Sequence, residues 1–276
     1  MERTGGNRNW AVPLALAAAL LAACQRQAPE PQQVDPQPTA APAATAPAVQ
    51  LKDVSESDPR YIVGISYPPG INKYPGLAAE LKKYSDATRA ELQQAIDGMG
   101  DEPPTAPYDL SLAYTQLVET PDVVAIAADG SSYTGGAHGN PLIARFVWLP
   151  RQSRLLTAAT LVPNGKSWEA ISGFAREQLM TSLSQRLDSD EFDGADRADM
   201  LRNAGRMIDE GTTPEPENFA QFEPVMAEDG RIRALRFVFP PYQVGPYSDG
   251  TQTVEVPASV LLPNVAAEYR SLFAGA

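Results

Sequence analysis

The sequence predicts an α+β protein. Apolar residues alternate at period two in several short runs, as half-buried strands require. Two longer stretches, residues 77–99 and 168–187, instead repeat apolar side chains at spacings of three and four, the signature of amphipathic helices. The order of strands and helices restarts at Asn164-Gly165-Lys166-Ser167, so the pattern is run through twice.

The N-terminal residues read as a targeting segment. Arg3 and Arg8 flank a polar start, residues 10–21 form a brief apolar run, and Leu21-Ala22-Ala23-Cys24 closes it with small residues. That succession is an export signal over residues 1–23, and the run is too short for a spanning helix. Its ending resembles the lipobox of bacterial lipoproteins, which implies a lipid on Cys24. Such anchors carry several acyl chains, each buried methylene contributing about 0.8 kcal/mol. Gln25 stands where an aspartate would mark inner-membrane retention, so the resemblance implies the outer membrane, with the protein facing the periplasm. Residues 24–50 then form a tether punctuated by Pro29, Pro31, Pro36, Pro38, Pro42 and Pro47, a composition that builds no core.

In the folded part, Tyr61, Val63, Ile65 and Tyr67 share one face of a strand ended by Pro68-Pro69-Gly70. The first helix follows, and Gly98, Gly100 and Pro103-Pro104 stop it. Tyr108, Leu110, Leu112, Tyr114 and Val118 mark a long strand, and apolar runs at 122–129 and 142–149 mark two more. Between those two lies a ten-residue loop, 132–141, reading Ser-Tyr-Thr-Gly-Gly-Ala-His-Gly-Asn-Pro. Gly135 and Gly136 suit positive φ or a close backbone approach, and His138 is the single histidine of the chain.

The second helix presents Trp168, Ile171, Ala175, Leu179, Leu183 and Leu187 at helical spacing, with Ser167 as its expected cap. A shorter helix over 196–209 carries Met200 and Met207, read as flexible core filling. Strands are expected at 219–227 and 232–239 around an Asp229-Gly230 turn, and at 251–256 ahead of a short helix from Pro257. The last two strands flank a second loop, 242–250, reading Tyr-Gln-Val-Gly-Pro-Tyr-Ser-Asp-Gly.

Composition narrows the function. A chain of 276 residues with 43% hydrophobic content builds a real core, and a formal net charge of −12 repels phosphates, which excludes a nucleic-acid binder. Cationic partners are steered in instead. One cysteine and one histidine exclude a disulfide framework and the usual zinc clusters, so neither a metal nor another cofactor is expected.

The two loops, in this order and followed by Val256-Pro257, resemble the paired extracytoplasmic domains of RsiV-like proteins. That family includes the lysozyme-sensing ectodomain of an anti-sigma factor and the non-catalytic N-terminal region of a peptidoglycan deacetylase. The resemblance implies two packed α+β subdomains, each a mainly antiparallel sheet with one or two helices, meeting near residue 160: residues 51–160 and 161–262, with a tail over 263–276. It does not carry over signalling or hydrolysis, because no spanning helix with a sigma-binding segment and no appended deacetylase domain is recognised.

Three functions follow for comparison. A binding module uses Tyr133, Tyr242 and Tyr247, with Gly135, Gly136, His138 and Asp249, to stack on sugars or fill a partner's cleft. Its ligand is either a lysozyme-type muramidase or the peptidoglycan glycan. The same tyrosines serve equally well as plugs that fix the loop bases to the core. A hydrolase would need paired carboxylates, and Asp129, Glu223, Glu228 and Asp249 lie near loops or strand ends. No nucleophile elbow, metalloprotease helix, phosphate loop or dinucleotide fingerprint is present, so no catalytic residue is assigned and a non-catalytic protein is expected.

Overall fold

The computed structural model describes residues 49–100, 104, 106–189 and 194–275. The export signal, Cys24 and nearly all of the tether lie outside them. The fold is α+β, built as two packed subdomains, each with its own sheet.

The first sheet contains β1 (Val54–Asp58), β2 (Tyr61–Ser66), β3 (Tyr108–Glu119), β4 (Val124–Tyr133), β5 (Asn140–Leu149) and β6 (Arg154–Leu155), in that spatial order. Helix α1 (Pro75–Asp97) crosses between β2 and β3, which therefore run parallel; the other neighbours are antiparallel. The predicted alternation holds: Val63 and Ile65 of β2 and Leu110, Leu112 and Tyr114 of β3 are buried with Leu77, Leu81, Leu92 and Ile96 of α1. Strand β1 escaped prediction because its Val-Ser-Glu-Ser-Asp sequence carries a single apolar residue; backbone pairing to β2 defines it.

The second sheet is antiparallel, β7 (Phe222–Met226), β8 (Ile232–Phe239) and β9 (Gln252–Pro257). Around it lie α2 (Ala158–Leu161), α3 (Trp168–Ser189), α4 (Gly194–Gly211) and α5 (Ala258–Leu261). Trp168 stacks on Phe219 at 5.1 Å between ring centroids and donates its indole N–H to the Val162 carbonyl at 3.0 Å, so this large ring is buried with its polar atom satisfied. Three expectations are corrected. The strand expected from residue 219 starts only at Phe222, because Phe219 still belongs to a 3-10 turn that Pro216 opens. Ser167 lies inside the 3-10 turn Gly165–Ser167 that runs into α3, and the side-chain cap falls at the start of that turn, where Asn164 accepts from the Lys166 N–H at 3.2 Å. Met200 is 42% exposed, so it is not core filling. Residues beyond 262 pack on this sheet: Tyr269 and Phe273 are buried, and Ala274 donates to the Ile232 carbonyl at 2.8 Å.

The β4–β5 hairpin joins the subdomains through pleat alternation. Val124, Ile126, Ala128 and Trp148 face the core under α1, whereas Val123, Val147 and Leu149 face the core under α3. Beside this apolar seam runs a chain of alternating charges. Asp129 meets Arg145 at 2.9 Å, Arg145 meets Glu223 at 3.1 Å, Arg236 meets Glu223 at 3.0 Å, and Arg236 meets Glu255 at 2.5 Å. Gln221 adds a bridge, its side-chain carbonyl accepting the Arg145 backbone N–H at 2.7 Å.

Candidate functional site

The β4–β5 connection is shorter than the expected ten residues. Strand pairing reaches Ser132 opposite Asn140, so only residues 134–139 leave the sheet. Ser132, Asn140 and Pro141 are loop-favouring residue types, but backbone pairing among β3, β4 and β5 holds them and Tyr133 in strands. Gly135 and Gly136 have φ of 100° and 98°, a conformation that side chains with a Cβ rarely adopt. Tyr133 donates its hydroxyl to the Gly136 carbonyl at 3.3 Å, closing the hairpin on itself, and His138 is left exposed at its tip.

The β8–β9 connection is fastened at three points. Val244 is buried in the second core. Gln243 donates its side-chain amide to the carbonyls of Gly211 at 3.0 Å and Asn218 at 2.8 Å. The Asp249 carboxylate pairs with Arg186 of α3 at 3.1 Å, while its main-chain carbonyl accepts from the Gln252 side chain at 2.6 Å. Gly211 ends α4 so closely beneath this loop that a Cβ there would overlap the Gln243 carbonyl. On this frame Tyr242 has φ of 74°, its N–H donating to the Gly245 carbonyl at 3.0 Å.

The two loops touch through their aromatic side chains. The His138 ring stacks on Tyr247 with centroids 4.1 Å apart and planes 16° from parallel. Its Nε2 lies 3.1 Å from the Tyr242 hydroxyl, and its Nδ1 lies 3.1 Å from the Gly139 carbonyl. Tyr247 donates its own hydroxyl to that same carbonyl at 3.4 Å, and the Tyr242 and Tyr247 rings stand 5.6 Å apart. A carbonyl can only accept, so Nδ1 carries a proton; in the neutral imidazole Nε2 is then the acceptor of the Tyr242 hydroxyl. Tyr242 and Tyr247 remain 55% and 36% exposed.

The candidate residues therefore divide. His138, Tyr242 and Tyr247 form one exposed cluster; Gly135, Gly136 and Tyr133 shape the hairpin that presents it; Asp249 turns away to brace the loop against α3. Gln243 and Gly211 were missed as anchors, since a glutamine in a loop and a glycine ending a helix announce nothing about each other. Pro246, Ser248 and Asp249 of the second loop also line a groove of about 370 Å³, together with Leu183, Leu187, Met200 and Met207. The carboxylates considered for hydrolysis are apart in role: Asp129 and Glu223 share Arg145, Asp249 holds Arg186, and Glu228 is exposed in the β7–β8 turn. Among the described residues no cluster of histidine, cysteine and acids is arranged to hold a metal, and no helix is long and apolar enough to cross a membrane.

An α+β pair of subdomains whose loops meet in one exposed aromatic cluster defines a two-domain module. Residues 54–141 match the family model described as Deacetylase PdaC, and residues 160–259 match that described as Protein of unknown function (DUF3298). The chain is a paired-domain protein of this kind, a PdaC-type domain followed by a DUF3298 domain, as its loop motifs indicate. Two solved structures share the fold. A DUF3298 family member from Bacteroides fragilis NCTC 9343 is 14% identical, with 79% of this chain and 93% of that chain covered and a TM-score of 0.51. A DUF3298 family protein from Pseudomonas aeruginosa PAO1 is 17% identical, with 82% and 96% covered and a TM-score of 0.52. A search of curated proteins found no match.

Proposed function

We propose that the chain is a non-catalytic cell-envelope lipoprotein, anchored through Cys24 in the outer membrane, that captures a lysozyme-type muramidase with the joined loops. The observation that carries this reading is Tyr242. A tyrosine with φ of 74° is a backbone outlier that costs on the order of 1–3 kcal/mol, yet the residue stands 55% exposed rather than buried. Strain maintained to hold a large amphipathic ring in solvent supports a contact surface. The net charge of −12 favours a basic partner. The carboxylates support a non-catalytic role, since three of the four are engaged by arginines.

A second reading, the peptidoglycan glycan as ligand, draws support from the neighbouring Tyr242 and Tyr247 rings, which suit stacking on a sugar. Pull-down with purified lysozyme and with purified peptidoglycan, each over a salt series, separates the two. Capture of a basic enzyme weakens steeply with ionic strength, whereas stacking on a neutral sugar does not. Retention of neither ligand overturns both readings.

A further inference from the structure

We propose that His138 sets the hydrogen-bonding polarity of the exposed Tyr242 hydroxyl, and with it the pH at which the loop surface accepts a basic partner. The inference rests on the reading of these loops as the capture surface. With Nδ1 donating to Gly139 and Nε2 accepting, the Tyr242 hydroxyl hydrogen is spent on the imidazole and its oxygen is left with acceptor capacity only. In this state Tyr242 offers a partner an acceptor. Proton uptake places a hydrogen on Nε2; the Tyr242 oxygen then accepts from it, and the phenolic hydrogen turns outward as a donor. One proton thus exchanges the character of a group on an exposed ring of the surface.

The surroundings suit both states. Tyr247 lies face to face with the imidazole, a geometry that also accommodates a cation over its π-system. Tyr133, from β4, commits its hydroxyl to Gly136. The carboxylates on neighbouring elements are Asp109 of β3, paired in register with Tyr133, and Asp249, held by Arg186 of α3. Asp249 spends its carboxylate on Arg186 rather than on the imidazole. His138 is the single histidine of the chain, so one imidazole carries the exchange. A partner rich in lysine and arginine presents donors and positive charge, so it matches the neutral state and is rejected by the protonated one on both counts.

The test has two arms, both on the full chain. In the first, 15N-histidine and 13C-tyrosine NMR follows His138 and Tyr242 from pH 8 to pH 5. The expected result is the Nδ1–H tautomer at pH 8 and a change in the Tyr242 ring signals at the same midpoint as His138, absent in His138→Gln. Tyr242 signals that ignore the histidine titration overturn the inference. In the second, purified lysozyme binding is measured at fixed ionic strength. The wild type is expected to bind about tenfold more weakly at pH 5 than at pH 8, the equivalent of about one hydrogen bond, with a much flatter profile for His138→Gln. Parallel profiles for the two proteins overturn it. Coupled NMR titrations with no lysozyme capture at any pH uphold the polarity switch and overturn the choice of partner.

Discussion

Arg145 of β5 and Glu223 of β7 form an ion pair at 3.1 Å across the two subdomains, with side chains only 9% and 11% exposed. Removing one partner of such a pair strands a charge in low dielectric, which costs about 3–5 kcal/mol when nothing else compensates. Asp129 and the Ala144 carbonyl still hold Arg145 at 2.9 and 3.0 Å, so Glu223→Gln is expected at the low end, about 3 kcal/mol. Chemical denaturation checks this, and high salt should change it little because the pair is shielded from ions.

The exposed cluster and the core should respond differently. His138→Ala and Tyr247→Ala each remove the stack without opening a cavity, so lysozyme capture should fall about tenfold or more while the unfolding midpoint stays within about 2 °C of wild type. Leu235 is fully buried in β8, and Leu235→Ala should cost about 2–5 kcal/mol. If the loop variants unfold the chain and leave binding by the folded fraction unchanged, the loops are structural.

Gly211→Ala tests the anchor beneath the second loop. The added methyl overlaps the Gln243 carbonyl, and backbone cannot yield as a flexible side chain does. A loss of about 1–3 kcal/mol is expected, together with weaker capture because Tyr242 moves with Gln243. A substitution that leaves both melting and binding unaltered would show that the loop is not seated on α4.

Alkaline pH should destabilise the first subdomain through buried tyrosines. Burial raises the hydroxyl pKa of Tyr114, which donates to the Leu81 carbonyl at 3.0 Å, and also that of Tyr67, linked to it through Ser85. A raised acid pKa in the folded state means that the unfolded chain releases its protons first. The contribution is complete below the unfolded value near pH 10 and is lost as pH rises through the folded value. Urea unfolding between about pH 8 and 11 should show that decline, with a shallower slope in Tyr114→Phe.

Cys24→Ala should abolish incorporation of labelled fatty acid and release the protein from the membrane fraction, since the tether offers no apolar replacement. Membrane association that persists in the variant, with no label taken up by the wild type, would overturn the lipoprotein reading.

Periodicity by itself determined the α+β class, α1, α3 and the inward faces of β2 and β3, because side-chain spacing at 2 and 3.6 residues is a local property that burial enforces. It also isolated the two glycine- and tyrosine-bearing loops, whose backbone needs are local too. Only the tertiary structure decided that His138 lies against Tyr242, 104 residues later, that Asp249 faces Arg186 rather than the tyrosines, and that Met200 and Met207 line a groove. It also decided that Val147 and Trp148, adjacent in sequence, serve different cores. Such contacts depend on which strand edges pair and how helices cross between them, and no window of neighbouring residues records that choice.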